Sequence, residues 1–142
     1  MKLKDMLNIQ NINIDKAIVD VIKNSHDELK GLVTEQTCLI WSSVIYDGLK
    51  RKHLPVQMLS TEDIPNAYVH YFNIVPYEGD YYVIDLTFRQ FNNEEFPDLN
   101  IFGYQLLNKK EQIEYLRIVS QKKNLMSSFD DLLFKTSNKT IN

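Results

Sequence analysis

Apolar residues along this chain change period twice, and the changes mark its elements. Ile14, Ala17, Ile18, Val21 and Ile22 follow i, i+3, i+4 spacing, which predicts a helix ending near Lys23 with Asn13 or Asp15 as its cap. Asn24-Ser25-His26-Asp27 reads as the break after it, and Leu3, Met6, Leu7 and Ile9 suggest a short helix or ordered arm before it. From Cys38 to about Lys50, the residues Leu39, Ile40, Trp41, Val44, Ile45 and Leu49 make a broad apolar face, the pattern of a central, mostly buried helix. Thr34 or Thr37 is its expected N-cap, and Asp47-Gly48 the start of its exit. The period then shortens to that of strands. Residues 54–59 predict a short edge strand opened by Pro55, and residues 68–75 and 81–87 are rich in Tyr, Val, Ile and Phe, which suit a half-buried pleated surface. Pro76-Tyr77-Glu78-Gly79-Asp80 between them has the composition of a hairpin loop. Residues 101–107 predict a further strand with Gly103 as a bulge. Helical spacing returns with a capping box at Asn108 and Glu111, giving a helix through about Lys123 with Ile113, Leu116 and Val119 inward. Residues 129–134 read as a last helical turn and residues 135–142 as a polar, frayed tail.

Together these elements predict an α+β fold, with the Cys38 helix packed on an antiparallel sheet and flanking helices at both ends. Its 142 residues make one domain with a sizeable core, organised as a helical region 1–33, a helix-and-sheet region 34–107, a helical region 108–135 and the tail 136–142. Composition narrows the function classes. A net charge of −3 supplies no basic footprint, so nucleic acid is not an expected partner. No run approaches the roughly 18 apolar residues of a membrane span, so no membrane partner is expected either. The amino terminus lacks an apolar signal core and a small-residue cleavage site, which points to a cytoplasmic protein or one exported without a cleaved signal peptide. One cysteine cannot form an internal disulfide. His26, His53 and His70 have no metal-ligand spacing with one another or with Cys38, and there is no glycine-rich phosphate loop, so no metal and no cofactor is expected. Oligomeric state is left open.

Candidate chemistry gathers at the hairpin. A four-residue loop would set Val75 opposite Asp80 and His70 opposite Asp85, and a loop change or a bulge would shift that register by a residue. Directly opposed residues have Cβ atoms about 4.5–5.5 Å apart, within reach of an imidazole–carboxylate hydrogen bond. A thiol enzyme needs a thiolate, a histidine that exchanges protons with it, and a group that fixes the histidine tautomer. Cys38, His70 and Asp85 supply the three in that chain order. Placing Cys38 in the first turn of a helix favours its thiolate, through free amide hydrogens and the partial positive charge there. Packing that helix on the sheet face that carries His70 would join sulfur to imidazole. The Cys38 backbone N–H is one expected donor to an oxyanion. Gln36, Gln90 and Trp41 are the side chains considered for the second, Gln36 being preferred.

Cys38 opening a helix, His70 in VHYFNIV and Asp85 in YYVIDLTFRQF resemble the papain-like and transglutaminase-like thiol enzymes. The likeness is greatest to small bacterial protein-glutamine deamidases and related effector or toxin-type domains, which carry a D-x-T-x-x-Q-F phrase after the histidine strand. Here that phrase is Asp85-Leu86-Thr87-Phe88-Arg89-Gln90-Phe91, and the resemblance spans residues 34–91. It implies Cys38 as nucleophile, His70 as general base and then acid, and Asp85 as orienter. The chain departs from papain-type proteases in lacking a glutamine several residues before the cysteine and the tryptophan that closely follows it. The expected activity is therefore cofactor-independent hydrolysis of a glutamine carboxamide on a protein substrate, through an acyl-thioester. Peptide or isopeptide cleavage, transamidation, and a catalytically inactive binding module of the same fold are the alternatives.

Overall fold

The computed structural model describes residues 13–30, 37–91, 99, 101 and 103–141, with side chains through residue 135. Within them run helices α1 (Ile14–Glu28) and α2 (Cys38–Arg51), strands β1 (Gln57–Ser60), β2 (Tyr71–Tyr77) and β3 (Asp80–Asp85), a 3-10 turn (Phe88–Gln90), strand β4 (Gly103–Leu107), and helices α3 (Lys109–Ser120) and α4 (Phe129–Ile141). The chain is α+β: the described residues form four helices on one four-stranded antiparallel sheet in the order β1-β2-β3-β4.

Helix ends follow local hydrogen bonding. Asn13 caps α1 by accepting from the Lys16 N–H, at 3.0 Å. The helix runs past the expected break at residues 24–27, because Ser25 is buried and its hydroxyl bonds back to the Val21 carbonyl at 2.7 Å. Gly48 lies inside α2 and does not begin its exit; a Cβ there would stand 2.7 Å from Val21 Cγ1, so glycine lets α1 and α2 approach closely. The capping box of α3 forms as expected between Asn108 and Glu111. That helix stops at Ser120 rather than Lys123, since Gln121 turns left-handed with φ 58°. Helix α4 is longer than the single turn expected from residues 129–134 and continues to Ile141 through the stretch expected to be frayed. Ser128 and Asp131 cap its start reciprocally, and neither proline nor glycine occurs between Phe129 and Ile141.

The hairpin differs most from expectation. Tyr77 pairs with Asp80, leaving a two-residue turn in which Glu78 and Gly79 both have positive φ, 51° and 88°. Pro76 belongs to β2. A backbone N–H at that position would point away from β3, and β1 pairs with β2 only as far as Ile74, so no ladder bond is lost there. The register Asn73–Ile84, extended by one pair, sets Asp85 opposite Phe72 and not opposite His70. Gly103, expected as a bulge, instead opens β4 at φ 94°, paired with Asp85.

The sheet buries both faces. On one, Val75, Tyr82 and Ile84 pack with Ile18 and Val21 of α1 and Ile45 and Leu49 of α2. On the other, Phe72, Ile74 and Val83 pack with Tyr115, Leu116 and Val119 of α3 and Phe129 of α4. The alternation of strand side chains between faces produces both cores from one hairpin.

Candidate active site

His70 lies one residue before β2, and Thr61 fixes its backbone. The His70 N–H donates to Thr61 Oγ1 at 2.9 Å, and the His70 carbonyl accepts from the Thr61 N–H at 3.1 Å. The imidazole is fully buried between the Phe72 ring, stacked at 6.2 Å, and the edge-on Phe91 ring at 4.9 Å. Its Nε2 is 2.7 Å from Asp85 Oδ2. The pair forms although the register differs from expectation by two positions. A shift of two preserves the face, so His70 and Asp85 are diagonal neighbours close enough for their side chains to meet.

Asp85, only 3% exposed, has its carboxylate fully engaged. Oδ2 accepts from His70 Nε2 and from the Tyr115 hydroxyl at 2.6 Å, and Oδ1 accepts from the Thr87 N–H and hydroxyl, each at 3.1 Å. The D-x-T-x-x-Q-F phrase thereby acquires a local cause. Thr87 ties down the free carboxylate oxygen, Phe88 stacks on Tyr115 at 5.5 Å, and Phe91 covers His70.

Cys38 is the first residue of α2, with Thr37 at the N-cap position, so its N–H is among those without an acceptor inside the helix. The body of α2 packs on the sheet face opposite the one that carries His70, contrary to expectation. Only the helix start reaches the histidine. Ser42 Oγ donates to the Tyr71 carbonyl at 2.9 Å, and Asn73 Nδ2 donates to the Ser42 carbonyl at 2.9 Å, which pins the first turns of α2 to the beginning of β2. The half-buried Cys38 thiol there meets the His70 side chain and the Tyr71 backbone. Since Nε2 is committed to Asp85 and buried Nδ1 has no hydrogen-bond partner among the described residues, Nδ1 is the ring nitrogen left to turn toward the sulfur.

The electrostatics agree with that geometry. Burial alone would lower the His70 pKa, but the charge and hydrogen bond of Asp85, with a smaller contribution from Cys38, raise it to about 9. Burial would raise the Cys38 pKa. The nearby His70 ring and Tyr71 backbone bring it below the ordinary thiol value. The imidazole thus tends to keep its proton while the thiol tends to lose one. Tyr115 is pushed well above the usual phenol range, first by burial and then by the neighbouring Asp85 charge, so it stays a neutral donor.

Of the six candidates, Cys38, His70 and Asp85 are brought together. Gln36 lies outside the described residues. Trp41, one turn beyond Cys38, is buried with its ring edge-on to His26 at 5.2 Å, and Gln90 sits in the 3-10 turn. Trp41 Nε1 and Gln90 Nε2 are both buried donors without an acceptor among the described residues. Thr61 and Tyr115 were not foreseen. Tyr115 occupies a helical core position one residue before Leu116, and that spacing carried no sign of a polar task. Among the described residues no helix is long and apolar enough to cross a membrane, and no cluster of three His, Cys, Asp or Glu side chains could hold a metal.

Comparison of the chain with protein-family models, curated proteins and solved structures returns no match.

Proposed function

We propose that the chain is a papain-like or transglutaminase-like cysteine amide hydrolase, with Cys38 as nucleophile, His70 as proton carrier and Asp85 as its orienter. The observation that carries this reading is the buried His70–Asp85 pair, 2.7 Å apart, with the Cys38 thiol at a helix start against the same imidazole. A buried ion pair is at best a weak source of stability, which favours a functional reading of this one over a structural reading.

In the proposed reaction the Cys38 thiolate adds to the carbonyl carbon of a carboxamide. The Cys38 N–H, free at the helix start, is one donor to the oxyanion. As the tetrahedral species collapses, the C–N bond breaks and the proton on His70 goes to the departing nitrogen, releasing ammonia and leaving an acyl-thioester. Water then attacks the thioester, giving its proton to the now neutral His70, and the thiolate departs with the carboxylic acid released. Asp85 holds the ring throughout and stabilises each imidazolium.

A glutamine side chain on a folded protein is the preferred substrate. Leu39 and Ile40 directly after the nucleophile, and Tyr68 and Val69 directly before the histidine, are all between 43 and 48% exposed. That apolar surface beside the site suits a macromolecular partner. Incubation with glutamine-bearing proteins should release ammonia and convert Gln to Glu, read by mass spectrometry, and Cys38→Ala should abolish both. Cleaved peptide bonds without ammonia would select the peptidase alternative. Absence of any acyl transfer would leave a binding module of the same fold.

A further inference from the structure

We infer that Tyr115 is a positioning residue of this site, setting the basicity of Asp85 and through it the pH at which His70 releases its proton. The inference rests on the reading of His70 as the group that exchanges protons with Cys38.

The geometry is specific. The Tyr115 hydroxyl donates to Oδ2 at 2.6 Å, the same oxygen that binds His70 Nε2 at 2.7 Å. Two donors on one oxygen compete for its electron density, so each tempers the pull on the other. The Thr87 bonds act on Oδ1, away from the histidine. Tyr115 is fully buried, and its ring is fixed by Phe88 stacked at 5.5 Å, Phe72 at 5.0 Å and Phe129 at 5.7 Å. An ordinary core position of this kind takes Phe or Leu; here a hydroxyl is carried into the core and aimed at the carboxylate that holds the histidine. Among the described residues, the charged and titratable groups around His70 are Asp85 from β3 and Cys38 from the start of α2, with Tyr115 from α3 acting through Asp85. Helix α3 therefore does more than cover the sheet. It brings the far third of the chain into the proton inventory of residues 38–85.

Removing the hydroxyl leaves Oδ2 to His70 alone, strengthens its hold on the imidazolium proton and raises the His70 pKa. A more acidic phenol in the same place does the reverse. The experiment is a pH titration of the His70 ring by NMR on carbon-13-labelled histidine in the full chain, with wild type, Tyr115→Phe and replacement of Tyr115 by 3-fluorotyrosine compared. Tyr115→Phe should move the His70 midpoint upward by about half a unit, and 3-fluorotyrosine should move it downward. A merely structural tyrosine would leave both midpoints in place, or shift them in the same direction through loosened packing, and either result overturns the inference. Because 3-fluorotyrosine keeps the hydroxyl and nearly the same volume, it decides the matter even if Tyr115→Phe fails to fold. Alkylation of Cys38 on the same samples separates the two readings. Opposite His70 shifts with an inert thiol would retain the role of Tyr115 and reject the enzyme. A reactive thiol with unmoved His70 would do the opposite.

Discussion

On one face of the sheet Val75 and Ile84 meet Ile18, Ile45 and Leu49, and the buried polar groups Ser25, Ser42 and Asn73 beside them carry no charge. On the other, an equally tight core of Phe72, Val83, Phe88 and Phe129 encloses a histidine, a carboxylate, a phenol and a threonine joined by hydrogen bonds. The first face gains stability mainly from apolar burial, in proportion to the area removed from water. The second buries an ionisable pair whose desolvation offsets much of its attraction, so its stability depends on every partner being present. The contrast teaches where the proposed chemistry would sit in this fold. Apolar packing and the Ser42 and Asn73 hydrogen bonds position α2, and the polar network fixes an imidazole beside its first residue, Cys38.

Mutations should separate the faces, and the largest effect is expected on the polar one. Asp85→Ala removes the acceptor of four hydrogen bonds and strands His70 in an apolar cage; stability should fall by about 3–5 kcal/mol in chemical denaturation. Leu49→Ala on the apolar face leaves a cavity and should cost about 3 kcal/mol, while leaving the His70 titration unchanged. A loss of stability at Asp85 no greater than at a surface site would erase the distinction between the faces.

The pH dependence sharpens it further. His70 titrates near 6.5 when unfolded and about 9 when folded, so its contribution is complete below pH 6.5 and is lost as pH rises toward 9. The depressed Cys38 pKa works in the opposite sense: its contribution is present above the ordinary thiol value of 9.0 and is lost as pH falls through the folded one. In the wild type the two partly cancel, because the folded protein holds a proton on His70 that the unfolded chain holds on Cys38. Cys38→Ser should uncover the histidine, with a denaturation midpoint that falls more steeply above pH 6.5 than in wild type. Parallel curves for the two proteins would contradict the pairing. The smallest effect belongs to neither face: Asn108→Ala removes the α3 cap and should cost about 1 kcal/mol without altering the site.

How much of this was legible in the sequence depends on how local the cause is. The Asn108–Glu111 box and the Asn13 cap are set by residues three apart; the box formed as expected, and of the two expected caps, Asn13 and Asp15, Asn13 is the one that forms. The start of α2 at Cys38 came from a similarly local change of period. The hairpin loop differs because Pro76 looks like loop composition, and only the short reach of β1 shows why a proline is tolerated inside β2. The His70–Asp85 pairing survived that difference because the register moved by an even number of residues and kept both side chains on one face. The face that α2 covers was not legible, since it depends on how the whole sheet is sandwiched. Tyr115 and Thr61 were also out of reach. One is 30 residues from Asp85 in the chain, and the other acts on the backbone of His70, which residue patterns do not report.

The central claim is that Cys38 and His70 share a proton so that the thiolate exists well below the pH of a free thiol. Iodoacetamide alkylation of the native protein across pH, in wild type, His70→Ala and Asp85→Ala, tests it most directly. Rapid modification at about pH 6, slowed sharply in His70→Ala and also reduced in Asp85→Ala, is the predicted result. A thiol that stays inert, or that reacts at one ordinary rate in all three proteins, would contradict it.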